Sequence, residues 1–414
     1  MKRINQILAT FLALLLLCGM VGCGGGSADF TQNSGGTGVI AGDQDWVPVV
    51  QRREGVITDQ GYYYVSNNNF IHFMDTQSGV VTALCSKAGC LHADEPNHRL
   101  HEKCDAHISG AGGRRTPLCV WNGSLYYLIN EAYGPCLYRC DAAGNGQTMV
   151  SELGTKYTKD EKVVSDFKYA MADGFWYYYA RVDSIVWDEE QFLWTNQTEL
   201  EYISRIDLAT GEEKIITEVR EDILDLCGAR GDAVLFTVTE VSKAKQTDPS
   251  SITLHRWDEE TGNITTVFQK STDQCSRITR VENGKAYCGT TIDGKTSTYT
   301  YDLATGEEEI VFNKTIVNYL GGGYVLRREV DTQEWYVFQM SSEKVLPIEL
   351  PEGTLSVSCT GNGGCILQWS VDLGGDTGKG YSNSEHRECY VSYASLADGL
   401  QESDLMRIYT WENG

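Results

Sequence analysis

One short stretch, written more than once, restricts what this chain can fold into. Thr300 to Phe312 reads TYDLATGEEEIVF, and Arg205 to Ile216 reads RIDLATGEEKII. Tyr299, Tyr301 and Leu303 alternate with polar neighbours as one strand, Thr305-Gly306 turns the chain, and Glu309 to Phe312 starts back as its partner. The unit is therefore a β-hairpin. Its Asp is placed to accept amide hydrogens across the turn, while Gly306, and Gly211 in the second copy, supplies the positive φ that closes a type I turn with a bulge.

Upstream of each copy lies a second hairpin with a Gly turn and an aromatic second strand, so the full repeat has four strands. The halves are Gly55–Asn67 with Phe70–Leu84, Leu118–Ile129 with Leu137–Val150, Phe167–Val182 with Tyr202–Ile216, and Cys227–Glu240 with Ser251–Phe268. Arg277–Ile292 with Thr300–Phe312 follows, then a shorter Val317–Glu329 with Glu334–Ile348. The last is Leu355–Val371 with Glu388–Gly399 and a strand at Met406–Trp411. Seven such repeats predict an all-β fold, a β-propeller of four-stranded blades; irregularity in the last two leaves six or eight blades open. One four-stranded sheet cannot cover its own apolar faces, but radial packing of many sheets can, with no long exposed edge. Two stacked β-sandwiches are the competing architecture.

The N-terminus carries an address. Lys2 and Arg3 precede an apolar run, Ile7 to Leu17, that is too short to span a bilayer and ends in small residues. Met20-Val21-Gly22-Cys23 has the form of a bacterial lipobox. Residues 1–22 are thus expected to be a lipoprotein signal peptide, with Cys23 the lipidated first residue. Residues 23–45, rich in Gly and Ser, read as a tether with little to bury, and 46–414 as the propeller. The body would lie outside the cytoplasmic membrane, held by its lipid. With 57 acidic and 34 basic residues the formal charge is −23, which disfavours nucleic acid as a partner.

In an antiparallel meander the turns joining strands one to two and three to four share one end, and the other connections share the opposite end. The first set is tight. Length variation falls in the second set: Cys85 to Pro117, Ser151 to Asp166, Asp183 to Glu201, Val241 to Ser250 and Asp372 to Arg387. Long loops on one face of a rigid scaffold are where binding sites are usually built.

Two insertions carry chemistry. The first holds Cys85, Cys90, His92, His98, His101, Cys104 and His107; Cys85, Cys90, His92 and Cys104 make the best zinc-type set, for a structural zinc. Twelve cysteines beyond Cys23 in an exported chain also fit disulfides, and Cys85 with Cys90 or Cys104 would staple the same loop. Cys136 with Cys140, and Cys359 with Cys365, could bridge only if strand geometry allows; Cys119, Cys227, Cys275, Cys288 and Cys389 read as buried small hydrophobes. The second insertion sets Trp187, Phe192 and Trp194 beside Asp183, Asp188, Glu189, Glu190, Glu199 and Glu201. Aromatic plates with carboxylates suit sugars or cationic peptides; the plainer reading is an extended hairpin packed on a neighbouring blade. No G-x-S-x-G elbow, P-loop, H-E-x-x-H or EF-hand loop is present, and no catalytic residue is assigned.

In its strand pattern and its lipobox, the whole chain resembles surface lipoproteins of Gram-positive anaerobes that carry TolB-like propeller domains. The resemblance implies a surface-exposed protein that binds a ligand or a protein partner, and it brings no catalytic residues. The expected function is a lipid-anchored propeller that binds a glycan, peptide or envelope protein on its long-loop face. A propeller glycan hydrolase or lyase, and a structural docking module of the envelope, are the alternatives.

Overall fold

One carboxylate organises the turn between third and fourth strands in each of the first five repeats. Asp302 Oδ1 accepts the N–H groups of Ala304 (2.9 Å) and Thr305 (2.8 Å), and Asp207 Oδ1 those of Ala209 (2.8 Å) and Thr210 (3.1 Å). Asp75, Asp141 and Asp258 repeat the device. The Gly306 N–H reaches back to the Asp302 carbonyl at 2.9 Å and Asp302 pairs with Glu307, so the loop has four residues, 303–306. That is one more than a type I turn with a bulge needs; the carboxylate satisfies the amides that the longer loop would leave open. Gly211 and Gly262 hold the left-handed position at φ +74° and +67°.

This computed structural model describes residues 46–413 except 52–54, 89, 91–103, 109–115, 132–133, 159–161, 189–192, 242–248, 293–294, 313–314, 330, 333, 351–353, 362 and 377–381. The leader, Cys23 and the tether lie outside the described residues.

Seven antiparallel blades follow one another along the chain. Blade one is Val56–Ile57, Tyr62–Val65, Ile71–Met74 and Val81–Ala83; blade two is Leu118–Trp121, Ser124–Glu131, Gly134–Asp141 and Thr148–Glu152. Blade three is Val163–Ala172, Phe175–Asp188, Leu193–Asp207 and Glu213–Val219; blade four is Ile223–Arg230, Ala233–Val241, Pro249–Asp258 and Ile264–Ser271. Blade five is Arg277–Glu282, Lys285–Ile292, Lys295–Asp302 and Glu308–Phe312, and blade six is Thr315–Gly321, Tyr324–Glu329, Trp335–Gln339 and Lys344–Leu346. Blade seven is Thr354–Gly361, Gly364–Asp376, Ser382–Ser392 and Met406–Asn413. The first strand of blade seven packs against that of blade one, which closes the ring. The fold is a seven-bladed β-propeller, so six and eight blades are excluded.

The second strands explain the aromatic repeats. In blade three, Trp176, Tyr178 and Ala180 enter the core shared with blade two, while Tyr177 and Tyr179 enter the core shared with blade four. Both faces of a blade are covered, so strict period-two alternation of polar and apolar residues is not required there. Tyr169 stacks on Trp176 with centroids 4.6 Å apart, and its hydroxyl exchanges hydrogen bonds with the Leu118 backbone at 3.1 Å, joining the first strands of blades two and three.

The chain ahead of blade one does something that the repeat pattern does not specify. Val47–Pro48 pairs antiparallel with Ala229 and Gly228 on the first strand of blade four, and Val50–Gln51 pairs with Tyr169 and Lys168 on the first strand of blade three. Because the Arg230 end of that strand leads into a tight turn, the segment enters from the tight-turn end and climbs along the inner edges. Two blades thereby gain a fifth strand at the axis.

Candidate functional site

Among the described residues, the insertions of blades three and seven are largely strand rather than loop. Their second and third strands run on beyond the blade, as the lengths of Phe175–Asp188 with Leu193–Asp207 and Gly364–Asp376 with Ser382–Ser392 record. In blade three the first strand pairs only as far as Asp183 and the fourth only as far as Glu201, so the ribbon beyond is two-stranded. The insertion is thus an extended hairpin. Trp187 is 45% exposed, Ile185 on the same strand face is 52% exposed, and the backbone register sets Trp194 directly opposite Trp187. Phe192, Glu189 and Glu190 lie outside the described residues.

The acids of that insertion divide into distinct roles. Asp183 is 0% exposed, which corrects its reading as part of an exposed acidic surface: it accepts from Ser165 Oγ (2.8 Å), Thr198 Oγ1 (2.9 Å) and Arg181 Nε (3.0 Å) at the base of the hairpin. A buried carboxylate persists there because every partner is in place. Glu199 pairs with Lys162 and Ser184, and the Lys162 partner holds its carboxyl below the ordinary range. Burial pushes Glu201 the other way, although the Leu224 N–H donates to it at 2.7 Å. These carboxylates anchor the ribbon to blades three and four.

The other cluster is a sulphur triad. Cys85, Cys90 and Cys104 bring their Sγ atoms within 4.8 Å of one another; Cys104 is buried and the other two are half-buried. Tight turns set them there, with the Cys90 N–H on the Lys87 carbonyl and the His107 N–H on the Cys104 carbonyl, both at 3.2 Å. Lys87 and Asp105 form an ion pair at 2.6 Å between the two ends of the insertion. Burial opposes the Cys85 thiolate, yet the Lys87 and Asp105 amides and the neighbouring thiols bring its pKa below the ordinary value; burial and the Cys90 thiol push Cys104 up. His92, His98 and His101 lie outside the described residues. His107 is described, and its ring packs edge-on to Phe70.

Strand geometry rules out the two close cysteine pairs as bridges. Cys136 and Cys140 sit on one strand, opposite Ile129 and Leu125. Four residues of extended chain separate them by about 13 Å, beyond disulfide reach. Cys359 faces Ile366 while Cys365 faces Thr360, so their side chains leave opposite faces and enter different cores. Cys119, Cys227, Cys275, Cys288 and Cys389 are buried, as read from the sequence. Near the axis, Asp225 of blade four pairs with Lys168 of blade three at 2.6 Å, beside the inserted Val50–Gln51.

No family model and no curated protein matches this chain. Solved structures do. A puromycin hydrolase is similar at a TM-score of 0.51 and 9% identity, over 90% of this chain and 55% of that one. TolB from Acinetobacter baumannii matches over 83% of this chain and 77% of its own, with 14% identity and a TM-score of 0.36. An oligogalacturonate lyase in complex with manganese matches over 79% and 88%, with 13% identity and a TM-score of 0.45. At these identities the likeness extends to the propeller fold alone.

Proposed function

We propose that this chain is a lipid-anchored, extracellular β-propeller that binds a glycan, peptide or envelope-protein ligand on its long-loop face and catalyses nothing. The observation that carries the reading is the blade-three ribbon, which stands clear of the blade and exposes Ile185, Val186 and Trp187. On this two-stranded projection Ile185, Val186 and Trp187 stay 52%, 37% and 45% exposed, and such apolar surfaces commonly meet a partner. The buried Asp183 network supports the same reading, because it holds the base of the ribbon rigid and so lowers the ordering cost of binding. Within this reading the sulphur triad serves structure, holding a zinc-class ion and reacting with nothing.

Glycan and peptide arrays probed with the purified chain test the binding half, and loss of every hit in a Trp187→Ala variant is the expected result. Signal that persists unchanged would place the site elsewhere. The anchor half is tested with Cys23→Ala, which should abolish palmitate labelling and detergent-phase partitioning; retained label would overturn it.

A further inference from the structure

We infer that Cys85, Cys90 and Cys104 form a thiolate site for a soft divalent ion of the zinc class, and that this ion clamps the two ends of the insertion together beside the hydrophobic core that blades one and two share. The inference rests on the zinc-class reading of the triad and adds what the ion does.

The spacing favours a metal over a bond between two of the sulphurs. A tetrahedral zinc site with Zn–S near 2.3 Å has S···S edges of about 3.8 Å. Sulphurs no farther apart than 4.8 Å need to close in by about 1 Å at most. A disulfide would draw two of them to about 2.05 Å and leave the third thiol with no role. Thiolates are soft donors, so they suit zinc and disfavour magnesium, calcium or manganese.

The surroundings fit an ion as well. The turns that carry the ligands are closed by backbone bonds, the Cys90 N–H on the Lys87 carbonyl and the His107 N–H on the Cys104 carbonyl, and such outer-shell bonds hold metal ligands in place. The Lys87 ammonium lies close enough to both thiols to interact with them, and it offsets the negative charge that three thiolates leave on a divalent ion.

The location gives the ion its task. Among the described residues, Phe70, Cys104 and Ala106, with Ala83, Cys85 and Cys90 at the margin, make a small cluster of their own, and Ile108 joins the larger core of blades one and two. The segment is stitched on two sides. Phe70 and His107 form an antiparallel bridge, the Ile71 N–H donates to Ala106 and the Ile108 N–H to Asn69, each at 2.8 Å, which fixes it to blade one. Gln147 Nε2 donates to the Asp105 carbonyl (2.7 Å) and Ser86 Oγ to Asn145 Oδ1 (2.7 Å), which fixes it to the turn of blade two. An ion at the triad ties the two ends of the insertion together where these contacts meet.

The experiment uses the full chain in detergent, produced with zinc in the medium. Native mass spectrometry should find one bound zinc, and cobalt exchange should give the intense visible absorption of a tetrahedral thiolate site. Cys90→Ser, chosen because that side chain is only half-buried, should weaken metal binding at least tenfold; if Cys104→Ser fails to fold, Cys90→Ser still decides. On chelation the Ile71 and Ile108 amides should exchange at least tenfold faster, with those of blade five unchanged. A mass lower by two hydrogens and no ion would mean a disulfide, which sinks both the zinc-class reading and the inference. A bound ion with unchanged exchange at Ile71 and Ile108 would keep that reading and overturn the clamp.

Discussion

The seams between blades depend on backbone lying close to backbone, and a matched pair of glycine substitutions measures that dependence. Gly211 and Gly262 occupy the same place in the turns of blades three and four, at φ +74° and +67°. A Cβ at Gly262 would meet nothing within 4 Å, whereas one at Gly211 would lie 2.2 Å from the Val150 carbonyl oxygen on the outer strand of blade two. Gly262→Ala therefore carries only the left-handed backbone cost, about 1–2 kcal/mol. Gly211→Ala adds about 1–3 kcal/mol of overpacking, since the strand must move by about 1 Å. It also strains the bond from Ser151 Oγ to the Gly211 carbonyl (2.8 Å), worth about 1 kcal/mol. The totals are about 3–6 against about 1–2 kcal/mol. With an unfolding entropy near 2.1 cal/mol/K per residue, a body of this length loses a little over 1 °C of Tm per kcal/mol, so the drops should be about 4–8 °C and about 1–3 °C. Differential scanning calorimetry reads both. Equal drops would refute the reasoning, because the turn conformation alone would then set the cost and the seam contact would contribute nothing.

Three further outcomes are expected. Trp187→Ala with Trp194→Ala should weaken a captured ligand by about 2 kcal/mol, roughly thirtyfold, and lower Tm by no more than a few degrees; unfolding would instead identify the pair as packing. Asp183→Ala leaves Ser165, Thr198 and Arg181 without their acceptor and should cost about 2–3 kcal/mol by calorimetry, while Asp183→Asn, which keeps an acceptor oxygen, should cost less; equal costs would deny the network its role. Amide hydrogen bonds, from Ser78 and Gln77 to Asp75 and from Thr305 and Ala304 to Asp302, hold these two carboxyls below the ordinary range. A carboxyl depressed in the folded state contributes stability that is full above about pH 4 and is lost as pH falls through the folded value. Asp75→Asn with Asp302→Asn should therefore flatten the acid limb of the Tm–pH curve, and superimposable curves would count against it.

The candidate site was legible in composition and only partly in geometry. That Cys85, Cys90 and Cys104 belong together followed from their crowding in one insertion, and the structure brings their sulphurs into one cluster. The Lys87–Asp105 pair was not foreseen, because a partner eighteen positions downstream of a lysine leaves no local signature. For the insertion of blade three, Asp183 to Glu201, the sequence left open a plate of aromatics with carboxylates or an extended hairpin, and the strands are those of a hairpin. The burial of Asp183 was not legible, because it depends on Ser165 from a different strand.

The sequence by itself determined the blades. A turn with Asp accepting two amides and Gly in the left-handed region is a local object, and the flanking residues have the period of a strand, so each hairpin is specified within about a dozen residues. Repetition then required a ring, since no single sheet could cover its own aromatic faces. What only the tertiary structure decided is how distant segments choose among similar edges. Trp46 to Gln51 carries no repeat signature, and the inner strands of several blades offer the same row of amides and carbonyls. Its pairing with the first strands of blades four and three exists only once the ring has brought those edges together. The cysteines obey the same distinction: spacing in the sequence made Cys136 with Cys140 and Cys359 with Cys365 look like pairs, and strand direction with side-chain facing, which exist only after pairing, set each of them apart.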